Sequence, residues 1–332
     1  MKIDFVIPWV DGNDPAWQKE RTLYWADTTA DACAARYRDV GLLKYWFRAV
    51  EAYAPWVNQI HFVTWGHLPE WLNTEHSKLR IVNHRDYIPM QYLPTFNANP
   101  IELNFHRIET LSEHFVYFND DIFLNAPVSS DFFFYKGLPC DFANIDTIYS
   151  EDPGDTYSHI LFNESHLISK HYSYIQSFCK HPFKYLNTAY YWKANLKNLL
   201  KLENRGFFPG FVEHHLAMPY LKQTLVDFWE KDYNTLNQAS ESKFRSPYDL
   251  GQRVFRYAQL VSGNFHPVSP ASRGKYLNIL CPIDQIETTL NDPKIKMVCI
   301  NDTPYDVDFD QTMAQIVAIY EKKLPGKSSF EK

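Results

Sequence analysis

The sequence predicts an α/β fold built on a mainly parallel sheet flanked by helices. Two observations carry this reading. Short apolar runs of strand length stop at turn residues, three of them at adjacent Asp, Asn or Gly, as buried strands do where they enter turns. Segments of helical period separate them in the order strand, helix, strand, strand, helix, strand, which suits right-handed crossovers and a Rossmann-like sheet.

The first run, Ile3-Asp4-Phe5-Val6-Ile7-Pro8-Trp9-Val10, ends at Asp11-Gly12-Asn13-Asp14-Pro15, a tight turn. Leu42 to Ala54 reads as a helix, with Leu43, Trp46, Phe47, Val50 and Tyr53 on one face and Pro55 just beyond it. Gln59 to Thr64 and Leu79 to Asn83 read as strands, Ile101 to Ser112 as a helix, and Phe115-Val116-Tyr117-Phe118 as a strand that stops at Asn119-Asp120-Asp121. The stretch from Phe132 to Phe208 is rich in aromatics and weak in periodicity, which marks an inserted region. Helices are expected from Pro219 to about Tyr233 and from about Pro247 to Val261. Ile279 to Asn291 is of mixed character; the apolar run Met297 to Ile300 ends at Asn301-Asp302, and Gln311 to Lys323 closes the chain as a helix. There are no internal repeats or clear linkers, so the chain reads as one unit.

Composition bounds the function. With 332 residues, 45% hydrophobic and 22% charged, the chain can bury a core without covalent staples. A formal charge of -6 argues against a nucleic-acid binder, which needs excess Lys and Arg to displace phosphate counterions. The five cysteines, Cys33, Cys140, Cys179, Cys281 and Cys299, are scattered and form no C-x-x-C pair, so reduced cytoplasmic thiols are expected rather than disulfides or a zinc knuckle. The charged start Met1-Lys2-Ile3-Asp4 does not read as a signal peptide, and any contact with a membrane is expected to be peripheral.

Chemistry is expected where apolar strands end in polar groups: Asp11-Gly12-Asn13-Asp14, Asn119-Asp120-Asp121 and Asn301-Asp302. Adjacent carboxylates suit a hard divalent cation or a general base. One such pair alone is more often a cap or a turn; three in one chain favour function. Arg36, Arg38, Arg107 and Arg245 are candidates for binding phosphate through the guanidinium fork. His215, beside His214, is a candidate proton carrier, with His214 left as the alternative. No phosphate-binding glycine loop and no nucleophile elbow is present.

Taken together, these segments resemble the Stealth family, which includes bacterial capsule polymerases and the animal lysosomal-enzyme N-acetylglucosamine-1-phosphotransferase. The likeness runs in four blocks: Ile3 to Pro15; Arg36-Tyr37-Arg38-Asp39 through Pro94-Thr95-Phe96-Asn97 to Asn119-Asp120-Asp121; His215 through Lys243-Phe244-Arg245-Ser246-Pro247-Tyr248-Asp249; and Cys299-Ile300-Asn301-Asp302 with the tail Leu324 to Lys332. The resemblance implies a modified Rossmann-like fold in a single catalytic domain. Residues 1–130 would hold the nucleotide-sugar, 131–210 the insertion, and 211–332 would complete the site.

The resemblance also implies transfer of a hexose 1-phosphate, of the N-acetylhexosamine type, from a UDP-sugar to a saccharide or lipid-linked saccharide hydroxyl. A phosphodiester would form and UMP would leave, in capsule or cell-surface polysaccharide synthesis at the inner face of the cell membrane. Catalytic roles carry over to Asp121, His215 and Arg245. Substrate contacts are assigned to Asp11, Gly12, Asn13, Arg36, Asp39, Asn97, Arg107, Asn119 and Asn301, and Mg2+ or Mn2+ to Asp120 and Asp302. Two rival readings remain at this level: a metal-dependent glycosyltransferase releasing UDP, and a carbohydrate-binding protein without turnover, suggested by 22 Tyr and 9 Trp.

Overall fold

The structure, a computed structural model, describes residues 1–25, 37–38, 41–150, 154–203, 206–302 and 308–332. Its strands are β1 (Ile3–Pro8), β2 (Ile60–Thr64), β3 (Leu79–Asn83), β4 (His114–Tyr117), β5 (Ile122–Leu124), β6 (Phe134–Tyr135), β7 (Leu138–Asp141), β8 (Met218–Leu221), β9 (His266–Pro267), β10 (Lys275–Asn278) and β11 (Met297–Asn301). The main sheet has the order β3-β2-β1-β4-β8, with β8 alone antiparallel. The α/β class and the mainly parallel sheet are as expected.

β1 is apolar nearly throughout because helices cover both faces of the sheet. Ile3, Phe5 and Ile7 point into one core with Trp46, Phe47 and Val50 of the helix Leu43–Tyr53 and Ile316 and Tyr320 of the helix Phe309–Lys323. Val6 points the other way, into a second core with Val63, Val82, Phe255 and Tyr257. Asp4 shares Val6's face, fully buried. Burial pulls its carboxyl up, but bonds from His61, Asn58 and the Ser112 amide outweigh this and hold it below its ordinary range.

Three stretches differ from the sequence reading, the first being the helix expected from about Pro247, which begins only at Arg253 and runs to Ser262. Pro219 does not open a helix; it lies in edge strand β8, where its missing N–H leaves no partner strand unsatisfied, and the helix starts afterwards at Lys222–Lys231. The helix expected over Ile101 to Ser112 is instead Ala98–Leu103 followed by the short turn Phe105–Arg107, because the Asn104 side chain turns back to bond the Pro100 carbonyl. The inserted region forms β6, β7 and helices at Thr156–His171, Tyr174–Lys180, Pro182–Tyr185 and Trp192–Leu200.

What positions the site is the exit from β4. The Phe118 amide still bonds the Val6 carbonyl in the main sheet, yet four residues later the chain enters β5 of a second sheet, ordered β10-β11-β5. Asn119-Asp120-Asp121 therefore occupies the junction between two sheets. β11 runs antiparallel to β5 with Cys299 opposite Ile122, which brings Cys299 beside Asp121.

Candidate active site

Two separate stretches converge on the Asp121 carboxylate. His215, in the segment that leads into β8, places Nε2 3.0 Å from Asp121 Oδ2. Cys299 of β11 donates its thiol to the same oxygen at 3.3 Å, and the Ile300 amide donates to the Asp121 carbonyl at 2.8 Å. Asp121 Oδ1 is buried with no hydrogen-bond partner. Asn119 Nδ2 lies 3.3 Å from His215 Nε2. That nitrogen is thus provided for in both states: with its proton it donates to Asp121, and without it, it accepts from Asn119.

Behind Asn119 the network continues into the core. Tyr117 Oη meets Glu102 Oε1 at 2.5 Å and contacts Asn119 Oδ1. Burial raises the Glu102 carboxyl to about 7, against the pull of the Tyr117 bond and of the Arg253, Arg245 and His215 charges. With Glu102 ionised, the Tyr117 hydroxyl donates to it; with Glu102 protonated, the carboxyl donates to Tyr117, whose own proton turns to Asn119. Glu164 lies deeper, with its Oε2 unpartnered, and burial raises it to about 8 while Arg253 pulls the other way. Sequence reasoning did not single out Glu102 or Glu164. The only signal available was an acidic residue flanked by Ile101 and Leu103, and another inside the helix Thr156–His171.

The geometry also separates the two histidines. His215 faces Asp121, whereas His214 packs on the Phe142 ring at 4.9 Å. Desolvation, helped by the Arg256 charge, lowers His214 to about 3, so it stays neutral. Arg256 beneath it is committed to Asp141 and Glu213.

Arg245 sits in a segment held by one buried carboxylate. Asp249 accepts from Asn97 Nδ2 (2.6 Å), Asn99 Nδ2 (3.0 Å), Ser242 Oγ (2.9 Å), the Ser246 amide (3.1 Å) and Ser246 Oγ (2.9 Å). Phe244 stacks on Phe96 and the Phe96 amide bonds the Lys243 carbonyl, which fastens the segment to the start of the helix Ala98–Leu103. Arg245 thereby comes close enough to Glu102 for its charge to lower that carboxyl's pKa. Asn97 belongs to this buried scaffold rather than to an open surface.

The other expected residues lie in three places. Asp11, Gly12 and Asn13 form the turn after β1: the Asp11 amide donates to His67 Nε2, the Asn13 amide to Asp11 Oδ1, and the Gly12 backbone presses on Tyr37. Asn301 and Asp302 end β11, and Asp302 meets Arg38 Nε at 3.6 Å. Arg107 is set apart, bonded to Asn104 Oδ1 and lying 4.7 Å over the Trp229 ring. Arg36 and Asp39 lie outside the described residues.

Among the described residues, one group of three metal-capable side chains comes together: Asp121, His215 and Cys299, with ligand atoms within 4.8 Å of one another. Nitrogen and sulfur donors do not suit Mg2+, which takes oxygen. Asp120, just before Asp121 in the turn after β4, and Asp302, just after β11, offer carboxylate oxygens instead.

Residues 1–24 of the chain match Stealth protein CR1, conserved region 1, and residues 36–141 match Stealth protein CR2, conserved region 2. Along its length the chain is 40% identical over 335 residues to the capsular polysaccharide phosphotransferase WcwK of Streptococcus pneumoniae, covering 99% of both chains. It is 39% identical over 332 residues to the exopolysaccharide phosphotransferase cps2G of Lactiplantibacillus plantarum, covering 99% of this chain and 96% of the relative. With the receptor polysaccharide phosphotransferase WefC of Streptococcus gordonii it shares 40% identity over 341 residues, 99% of each. The solved galactosyltransferase LgtC, in complex with donor and acceptor sugar analogs, is similar only loosely, at TM-score 0.41 and 10% identity over 98% of both chains. Identity of this extent along the entire chain, with both conserved regions in place, means that the protein belongs to the Stealth family of phosphotransferases.

Proposed function

We propose that the protein transfers a hexose 1-phosphate, of the N-acetylhexosamine type, from a UDP-sugar to a hydroxyl of a free or lipid-linked saccharide in the synthesis of a capsular or other cell-surface polysaccharide. The acceptor oxygen forms a bond to the phosphorus that carries the sugar, the bond from that phosphorus to the bridging oxygen breaks, and UMP leaves. The observation that carries this reading is the 3.0 Å pairing of His215 Nε2 with Asp121 Oδ2 at the exit from β4, in a chain so similar to polysaccharide phosphotransferases.

The Asp121–His215 pair takes the acceptor's proton as one coupled unit. Asn119 keeps His215 Nε2 aligned when that nitrogen gives its proton up, and Tyr117 and Glu102 fix Asn119. Arg245, held by the Asp249 scaffold, faces charge on the transferring phosphoryl group; most of the catalysis of such transfers lies in positioning and electrostatics. The Asp11-Gly12-Asn13 turn and the end of β11 contribute to the nucleotide-sugar site. Asp120 and Asp302 would hold Mg2+ or Mn2+, which would supply neutralisation of the donor's phosphate charge.

The chain divides into residues 1–130 for the donor, 131–210 as the insertion and 211–332 completing the site. No helix among the described residues is long and apolar enough to cross a membrane. The reading places the enzyme at the cytoplasmic face of the membrane, held there through its substrate.

The test is incubation of the purified protein with Mg2+, a panel of UDP-sugars and oligosaccharide acceptors. UMP as the released nucleotide, with a phosphodiester signal in phosphorus NMR, is the expected result. UDP with a phosphate-free glycosidic product would make the protein a glycosyltransferase, and sugar binding without turnover would make it a carbohydrate-binding relative.

A further inference from the structure

We propose that Asp121, His215 and Cys299 form a binding site for a borderline divalent transition metal such as Zn2+ or Co2+, and that an ion held there blocks the enzyme. The distances fit. With metal–ligand bonds of roughly 2.0–2.3 Å, a tetrahedral ion sets its N, O and S ligands roughly 3.4–3.6 Å apart. Asp121 Oδ2 lies 3.0 Å from His215 Nε2 and 3.3 Å from Cys299 Sγ, and all three ligand atoms lie within 4.8 Å of one another, so side-chain shifts of up to about an ångström admit the ion. Oxygen, imidazole nitrogen and thiolate together favour Zn2+ or Co2+ over Mg2+.

A second observation marks the place as incomplete: Asp121 Oδ1 is buried and makes no hydrogen bond, although a buried carboxylate oxygen ordinarily has a partner. Access is from the His215 side, where the His215 and Asp121 side chains are 24% and 17% exposed while Cys299 is enclosed. Three protein ligands leave a fourth position toward that opening. Burial and the neighbouring Asp121 carboxylate raise the Cys299 thiol, which therefore carries its proton in the resting protein. As the metal–sulfur bond forms, that proton passes to solvent.

Asp121 and His215 cannot both ligate this ion and handle the acceptor's proton. Inhibition rests on the proposed transfer reaction; binding does not, and the two are tested separately. The full-length protein, reduced and treated with chelator, is titrated with CoCl2 in the absence of substrate. Expected is a thiolate-to-cobalt charge-transfer band that saturates at one ion per chain, is discharged by Zn2+, and survives in Cys179→Ser and Cys281→Ser. The band is lost in Cys299→Ala. In His215→Ala, which keeps the thiol, Co2+ affinity falls by at least about tenfold.

No band in the wild type, or a band undiminished in both Cys299→Ala and His215→Ala, overturns the site. In the turnover assay with Mg2+, Zn2+ inhibits the wild type reversibly, and Cys299→Ala, scored against its own uninhibited rate, is at least about tenfold less sensitive. Equal sensitivity of the two would overturn the inhibitory role. A cobalt band in a protein that transfers no sugar phosphate would leave the metal site standing and remove the proposed function instead.

Discussion

His215 Nε2 and Asp121 Oδ2 stand 3.0 Å apart although 94 residues separate them in the chain. The contact exists because β8 returns antiparallel beside β4, so the segment before β8 and the segment after β4 meet at the same end of the main sheet. A coupled pair of this kind has a kinetic signature. Asp121→Asn and His215→Ala should each lower turnover by roughly 10²–10⁴, the span of general acid–base catalysis. The double variant should lose little more than the worse single one, since either change disables the same unit. UMP release measures all three rates; losses that multiply would show two independent groups.

Arg245→Ala should lower turnover by about 10²–10³ while leaving the fold intact, as removal of one preorganised charge partner does. Circular dichroism together with UMP release checks both halves of that statement, and a loss below about tenfold would take Arg245 out of the transfer step.

Asp249→Ala should act through Arg245. It removes the buried acceptor of five hydrogen bonds, from Asn97, Asn99, Ser242 and Ser246. Destabilisation of about 3–5 kcal/mol is expected, as for removal of one side of a buried charged network, with a loss of turnover similar to that of Arg245→Ala. Urea denaturation and the rate assay are to be read together; full activity in a destabilised Asp249→Ala protein would show that Arg245 needs no such scaffold.

Stability should fall with rising pH across neutrality. The folded protein keeps protons on Glu102 up to about 7 and on Glu164 up to about 8, whereas both would be lost near 4.5 in the unfolded chain. Between 4.5 and these values the folded state binds more protons than the unfolded state. Its stability is therefore highest at the acid side of that window, declines as pH rises through it, and levels off above it. Glu164→Gln, neutral at every pH, should flatten the slope and be more stable than wild type at pH about 8.5. Melting temperatures of the two proteins from pH 5 to 9 are the check, and parallel curves would contradict it.

Gly12→Ala should weaken donor binding. The added Cβ would come 2.1 Å from the Tyr37 carbonyl oxygen, so the turn after β1 must move or Tyr37 must leave its bond to the Phe96 carbonyl. A raised KM for the UDP-sugar with little change in acceptor KM is expected. Unchanged donor KM would place the nucleotide-sugar elsewhere.

The sequence by itself determined the strands of the main sheet that are buried on both faces. Their apolar runs and the turn residues that end them are local features, and β1, β2, β3 and β4 stand within about two residues of where those features put them. It also marked Asp121, His215 and Arg245, through a family pattern. It misplaced Pro219 because edge-strand status depends on which strand lies alongside, and local pattern carries no trace of that. Only the tertiary structure decided that His215 rather than His214 meets Asp121, that Asn97 and Asp249 carry the Arg245 segment, and that Cys299 joins the cluster. Glu102 and Glu164 acquire their raised pKa values only there as well. Each of these properties depends on burial and on neighbours many residues away, which arise only when the two sheets meet at Asn119-Asp120-Asp121.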